Sequence, residues 1–495
     1  MRGWIALLGL ALLAPAALAQ AQAPVAAPIG TAALPTGRGA QPLTLAEAEA
    51  LLVERNLGLI AARRGLDATR AQRLVASALP PPQVSVGSSF GQFNETARGA
   101  LQGARLLSPS SNINVGLSVL VERGGKRELR TRVADQQIGQ AEAQVLDALR
   151  TQLFQLRQAF LGALLARANL EVALANRASL DRTEALLRRQ LRDGAIPEGD
   201  LLRFQASRLQ FESDVTGNAQ AYAAGIATVA ALLAADPAAF APGAGQIGGP
   251  GLVAPGLRGT AAPRQGSAAV PTTVQTILSP VAFDLRGRLD QMPVLGIGRE
   301  ALAEGVASRA DVVAAQRQAS AADANRQLAE AERSRDVTVN GSWGRSRLSQ
   351  DLPNSRDQLD AVNSFGLSLS VPIFTRRIVE GNLGVATAQA GQAEALARAT
   401  LLQARTEFAA AWAGYEQARA LLNLYTSGAL GRAEDAYRSA EQAYVAGGRS
   451  LLEVLDALRT LNATRIQANQ ARHAYLLALA TLEQASGVSG VAPRL

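Results

Sequence analysis

The chain has 495 residues, a net charge of +8, one histidine and no cysteine. It therefore builds no disulfide framework, has no cysteine for an N-terminal lipid, and offers too few histidines for an ordinary zinc site. Aromatic residues make up 4% of the sequence while alanine and leucine dominate, which favours long helices; the basic residues are scattered along helical patterns rather than clustered, which argues against a nucleic-acid partner.

In chain order, Arg2 precedes an apolar run from Trp4 to Leu13, and Ala17-Leu18-Ala19 closes it with small residues. This pattern predicts a secretory signal peptide over residues 1–19, cut before Gln20. The run is shorter than the roughly 20 apolar residues a membrane-spanning helix needs. Every later apolar run is interrupted by Arg, Gln, Glu or Asp, so any membrane entry must use a β-barrel. Residues 20–42, rich in Ala, Pro and Gly, read as a flexible leader.

Residues 43–235 read as a first structural repeat. Leu43-Thr44-Leu45-Ala46-Glu47-Ala48 opens a helix with Thr44 and Glu47 as a capping box, and Pro80-Pro81-Pro82 stops it after Leu79. Val84 to Phe90 reads as a strand, and Ile113 to Val119 alternates apolar and small or polar residues, as a strand with one greasy and one wet face does. A proline-free helical pattern then runs from Lys126 to Asp193, on the order of 100 Å at 1.5 Å per residue. Gly194 to Pro197 turns the chain and a second helix returns from Glu198 to Ala235.

Residues 236–293 form a Gly/Pro-rich segment of low helical promise. The plan then recurs over residues 294–487: a helix from Arg299 to Ser334, strands at Val337–Trp343 and Phe365–Val371, a very long helix to Ala446, a turn at Gly447-Gly448-Arg449 and a return helix to Ala485. Residues 488–495 are a C-terminal tail. Val84 and Val337 are 337 − 84 = 253 residues apart, Gly116 and Gly366 are 366 − 116 = 250 apart, and Gly194 and Gly447 are 447 − 194 = 253 apart, the signature of an internal duplication. The second long helix carries a heptad seam: Leu383, Ala386, Ala390, Ala393, Ala397, Thr400, Ala404, then, after one extra residue, Phe408, Ala411, Tyr415, Ala418, Leu422 and Tyr425. Alanine seams let helices approach closely, which suits a thin wall.

Four strands cannot close a membrane barrel, and an open edge in lipid leaves backbone groups unpaired. Embedded strands must therefore be shared among copies: two would supply eight strands, three would supply twelve. The chain resembles the outer-membrane factor family typified by TolC. The resemblance is carried by Leu43–Ala48, by Val371-Pro372-Ile373-Phe374 and by Tyr444-Val445-Ala446-Gly447-Gly448-Arg449-Ser450-Leu451-Leu452-Glu453-Val454-Leu455-Asp456-Ala457. It implies a mixed, mainly α membrane protein: a homotrimer with a twelve-stranded barrel in the outer membrane of a Gram-negative bacterium, above a long periplasmic coiled-coil tunnel. Residues 236–293 would belong to the equatorial belt. The implied partners are outer-membrane lipid, a periplasmic adaptor and an inner-membrane pump of the RND type. Glu122-Arg123-Gly124-Gly125-Lys126-Arg127-Glu128-Leu129-Arg130 further resembles the heavy-metal (cobalt–zinc–cadmium) efflux branch. Drug efflux, type I protein secretion and a structural periplasmic coiled coil are the alternatives.

The sequence presents no catalytic constellation and implies no cofactor or resident metal. His473, the one histidine, sits in an Ala/Leu-rich coiled-coil stretch beside Tyr475. The candidate functional residues lie at the two helical turns. Gly194, Gly447 and Gly448 reverse the backbone where other residues would be strained. Glu453 and Asp456, three apart, share a helix face, and a three-fold assembly makes each a ring of negative charge that selects cations. By the resemblance, Glu453 and Asp456 line the periplasmic mouth, with Glu453 standing where the type member has Asp. The resemblance also makes Asp200, Tyr444 and Arg449 the periplasmic gate, Arg449 being tied to Asp200.

Overall fold

The computed structural model describes residues 40–90, 111–194, 196–235, 271–281, 283–347 and 362–493. The signal peptide, nearly all of the leader and the loops following the strands at Phe90 and Arg347 lie outside these residues.

The first half runs β1 (Gln41–Leu43), α1 (Leu45–Arg55), α2 (Leu57–Ser77), β2 (Gln83–Phe90), β3 (Ser111–Val121), α3 (Lys126–Arg192) and α4 (Glu198–Leu232). After α5 (Thr272–Leu278) and β4 (Phe283–Leu285), the second half runs α6 (Arg299–Gly305), α7 (Ala310–Ala331), β5 (Val337–Arg347), β6 (Val362–Ser370), α8 (Arg376–Leu424), α9 (Leu430–Val445) and α10 (Leu451–Ser486). The starts of α2 and α7 (310 − 57) and of α4 and α10 (451 − 198) follow the 253-residue spacing, and those of β2 and β5 (337 − 83 = 254) differ from it by one, the strand ends drifting by a few residues.

Three helices expected to be continuous are broken. The first divides at Asn56, whose side chain accepts from Leu59 N at 3.0 Å, capping α2, and donates to Leu232 O at the end of α4 at 2.9 Å. The helix expected over Arg299–Ser334 divides at Arg309, 309 − 56 = 253 residues later. Arg309 donates to Ala485 O at 3.1 Å, again 253 residues beyond Leu232. Both breaks thus let a polar side chain close the C-terminal turn of the return helix, which would otherwise bury free carbonyls. The third break, at Tyr425–Ala429 between α8 and α9, has Gly428 at φ 108°. The capping box expected at Thr44 is present: Glu47 N donates to Thr44 Oγ1 at 3.3 Å and Thr44 N to Glu47 Oε2 at 2.9 Å.

The four long strands form one antiparallel sheet of order β2-β3-β5-β6, so β2 and β6 are edges within the chain. Both hairpins share one geometry, but the 250-residue spacing of the second strands gives way to the register. Ser85 pairs with Gly116, and its counterpart Thr338 pairs with Ser370, four residues beyond Gly366. An even shift keeps every side chain on its own face. A two-stranded parallel sheet joins β1 to β4, and Arg167 of α3 reaches Asp284 at 3.3 Å. The segment of low helical promise therefore holds α5 and β4 among its described residues. The buried residues of α8 are Ala386, Ala393, Ala404, Phe408, Ala411, Tyr415, Ala418 and Leu422, all on the expected seam. Among the described residues no helix is long and apolar enough to cross a membrane.

Candidate functional site at the helical tips

The tips follow from C-cap chemistry. Gly194 and Gly447 sit just past α3 and α9 with φ of 71° and 77°. At the second tip Gly448 N donates to Ala443 O at 2.8 Å and Gly447 N to Tyr444 O at 2.9 Å, the paired bonds of a Schellman ending. Gly194 N donates to Leu191 O at 3.1 Å in the same place at the first tip. Gly448 is different: its φ is not positive, and an added Cβ would meet Ala443 O at an ordinary 3.6 Å. The reversal needs Gly447 and not Gly448. Gly447→Ala should cost about 1 kcal/mol of stability and Gly448→Ala a small fraction of that, as read from unfolding midpoints; equal effects would refute the distinction.

The two hairpins meet in one apolar tip core. Leu180 and Leu187 of α3, Phe204 and Phe211 of α4, and Leu455 and Leu458 of α10 are buried together, with Tyr437 and Tyr444 of α9 against them. Tyr444 OH donates to Gln190 Oε1 at 3.2 Å. Burial and the nearby negative charge of Asp200 both push the Tyr444 phenol above its ordinary pKa.

Asp200 and Glu453 stand at the same place, the third residue of α4 and of α10. Acids in a first turn favour the positive helix end. Glu453 is further committed: Ser450 N and Oγ donate to its Oε1 at 3.3 and 3.0 Å, and Arg449 pairs with it at 3.3 Å. Asp200 faces Arg203 at 3.9 Å. The expected Arg449–Asp200 contact is thus not made within the chain, because Arg449 turns to the acid four residues on. The Asp456 side chain is exposed and has no hydrogen-bond or ionic partner among the described residues.

A brace near the first tip escaped sequence reading. Arg208 of α4 contacts Glu184 and lies 2.5 Å from Asp181 and 3.2 Å from Glu212, while Arg177 holds Glu212 at 2.8 Å. The Gln205 hydrogen bond and, against the cost of burial, Arg208 hold the Glu184 carboxyl below its ordinary pKa. His473 is half-buried, its Nε2 lacks a hydrogen-bond partner, and burial lowers its pKa.

At the opposite end of α3 and α8, the sheet has two distinct faces. Val84, Val86, Ile113, Val115, Leu117, Val119, Val339, Trp343, Phe365, Leu367 and Leu369 are linked by register on one face, which also carries Gly341 and, in the row of Ile113 toward the end away from the helices, Ser88, Arg345 and Asn363. Ser85, Gly87, Asn114, Gly116, Ser118, Asn340, Ser342, Gly344, Ser364, Gly366 and Ser368 share the other.

Residues 301–488 match the family model described as outer membrane efflux protein. No curated protein matches the chain by sequence. Solved structures share its fold. A membrane protein from Pseudomonas aeruginosa is 21% identical with a TM-score of 0.67, the alignment covering 91% of each chain. CusC, described in work on folding and transmembrane channel formation, is 18% identical with a TM-score of 0.65, over 89% of this chain and 91% of its own. The open-state MtrE outer membrane channel of Neisseria gonorrhoeae is 20% identical with a TM-score of 0.63, over 90% and 88%.

Proposed function

We propose that three copies of this chain form an efflux channel in the outer membrane of a Gram-negative bacterium, each contributing four strands to a twelve-stranded barrel and its long helices to a periplasmic tunnel. The observation that carries this reading is the sheet: one face apolar from its helix-side end up to the row of Ser88, Ile113, Arg345 and Asn363, one uncharged wet face and two edges unpaired in the chain, set on helices of 67 and 49 residues. Lipid forbids those free edges, and shared strands remove them. The recurrent element spacing supports an origin by internal duplication. A passive conduit of this kind takes its substrate from a periplasmic adaptor and an inner-membrane pump, which we propose is of the RND type.

The cargo we propose is divalent metal cations, on the resemblance of Glu122–Arg130 to the heavy-metal branch. Those residues also serve the junction itself. Arg130 pairs with Glu122, Lys126 pairs with Asp336 at 2.8 Å, and Gly124 and Gly125 both have positive φ. Growth of a deletion strain on zinc, cobalt and cadmium, against growth on drugs, tests the cargo; drug sensitivity without metal sensitivity would move it to the drug class.

At the tips, we propose that Asp456 forms the principal cation-selecting ring, with Glu453 a second ring partly held by its capping bonds. Asp200, Tyr444 and Arg449 form the resting gate, Arg449 reaching Asp200 of an adjacent copy after releasing Glu453. Each such exposed pair contributes about 0.2–1 kcal/mol, so three of them hold the tip weakly enough for an adaptor to open. In planar bilayers, Arg449→Ser with Asp200→Ala should raise single-channel conductance. Asp456→Ala should reduce cation preference, measured as reversal potential, more than Glu453→Ala does. Unchanged conductance and unchanged reversal potential would make these charges plain helix surface.

A further inference from the structure

We infer that the helix-side edge of the four-stranded sheet is a binding surface for membrane phospholipid whose phosphate headgroup carries a net negative charge. This rests on the membrane reading above and adds a specific site to it. The placement comes from strand register. Val121 pairs with Val337, so Arg123 and Arg335 fall in the row two residues beyond that pair. Thr338 pairs with Ser370, the last residue of β6, and Ile373 and Phe374 follow three and four residues on, at the same helix-side end of the sheet. Arg123 and Arg335, just past the last β3–β5 pair, and Ile373 and Phe374, just past β6, therefore all lie at the end of the sheet where the helices begin.

The charges at this end of the sheet and in the first turns of α3 and α8 are divided. Lys126, Arg130 and Arg376 are neutralised by Asp336, Glu122 and Glu380. The side chains of Arg123, Arg335 and Arg377 are exposed and have no ionic or hydrogen-bond partner among the described residues. A guanidinium can lay its stem along apolar surface while its planar fork takes a phosphate bidentately. Three unmatched forks beside an apolar belt fit an amphiphile carrying an anionic head.

Phe374 supplies an independent observation. It has φ 59° and is 89% exposed, two residues before α8. Gly124 occupies the same place two residues before α3, with φ 79°. A bulky side chain in the left-handed region is strained, and such strain persists where the residue has a use. The turn holds an aromatic ring out at the boundary between greasy and charged surface, where membrane barrels carry their aromatic girdles. Ile373 and Ile378, both exposed, extend the patch around it.

The test uses the full-length mature protein reconstituted with brominated phosphatidylglycerol or brominated phosphatidylcholine. With Trp412→Phe, Trp343 on the apolar sheet face reports insertion. A second form, with Trp343→Phe, Trp412→Phe and Phe374→Trp, reports lipid at the row. Trp343 should be quenched by both lipids. The tryptophan at position 374 should prefer phosphatidylglycerol on the order of fivefold, and the preference should vanish with Arg123→Gln, Arg335→Gln and Arg377→Gln while Trp343 quenching persists. Equal quenching by the two lipids, or a preference that survives the three substitutions, would overturn the inference while leaving the channel reading intact. Absence of Trp343 quenching would sink the channel reading and the inference with it. Inorganic phosphate at matched ionic strength should leave the preference unchanged; its abolition would assign the row to free phosphate instead.

Discussion

Deletion of Ile113–Val119 should abolish insertion into the outer membrane. These residues are most of β3, which pairs with β2 on one side and β5 on the other. Their loss strips both ladders at once and leaves three strands, with new unpaired edges that lipid does not tolerate. Topology adds a second penalty: β2 carries the chain away from the helical end, and without β3 to return it α3 would begin on the wrong side of the sheet. Heat-sensitive oligomer should disappear from outer-membrane fractions; recovery of normal oligomer there would show that this sheet is not the barrel. A point-substitution pair gives the finer test. Val115 pairs with Val86 and Trp343 on the apolar face, while Asn114 pairs with Gly87 and Gly344 on the wet face. A lysine at Val115 should cost about 2–4 kcal/mol near the bilayer midplane, and Asn114→Lys should be tolerated in insertion.

Much of this architecture was legible in the residues. Strict alternation from Ile113 to Val119 located β3, and the 3-4 seam from Leu383 to Leu422 named the buried face of α8 in advance. Such patterns survive because burial selects for them directly. The helix breaks were hidden for the opposite reason. Nothing local distinguishes Arg309 from a polar residue on a solvated helix face, and the local capping signal of Asn56 is weak without the Glu or Gln of a capping box; each is set apart by a carbonyl more than a hundred residues away. The strands β1 and β4 were hidden because three residues carry no readable period, and their pairing is long-range.

The tips show the same divide. Glycine at a helix end announces a left-handed cap, and Gly194 and Gly447 obey it. Gly448 shares the composition without the conformation, a distinction that only backbone geometry makes. Glu453 and Asp456 both lie in the first turns of α10, but their surroundings separate only when side chains are seen. Glu453 caps its own helix and binds Arg449, whereas Asp456 is unpartnered. The Ser450–Glu453 spacing is itself a capping signature, and reading it would have reduced the weight given to Glu453 as a ring.

Replacing Arg309 with methionine should destabilise the chain by about 3 kcal/mol. Arg309 is 2% exposed and cross-braces four helices. Its guanidinium meets Asp311 of α7 at 2.6 Å and Glu407 of α8 at 2.8 Å, and donates to Ala485 O of α10 at 3.1 Å. Asp311 in turn lies 3.6 Å from Arg150 of α3, which donates to Gln484 O at 2.6 Å. Methionine keeps the stem and removes every donor. Two acids and a helix-end carbonyl then lose their partner, and their partial exposure sets the cost at the lower end of the range for a broken buried pair. Lysine in the same place should recover part of the loss, since one ammonium reaches fewer of these acceptors than a planar fork. The pH dependence follows from Asp311. Burial raises its pKa, but the hydrogen bond and charge of Arg309 outweigh that and hold it below the ordinary 3.8. A depressed carboxylate stabilises the fold above its unfolded pKa and loses that contribution as pH falls through the folded value. The gap between the wild-type chain and Arg309→Met in guanidinium unfolding midpoint should therefore stay constant down to about pH 5 and narrow only below 3.8. A gap that is absent near neutrality, or that widens in acid, would show that the Arg309 network does not hold these four helices together.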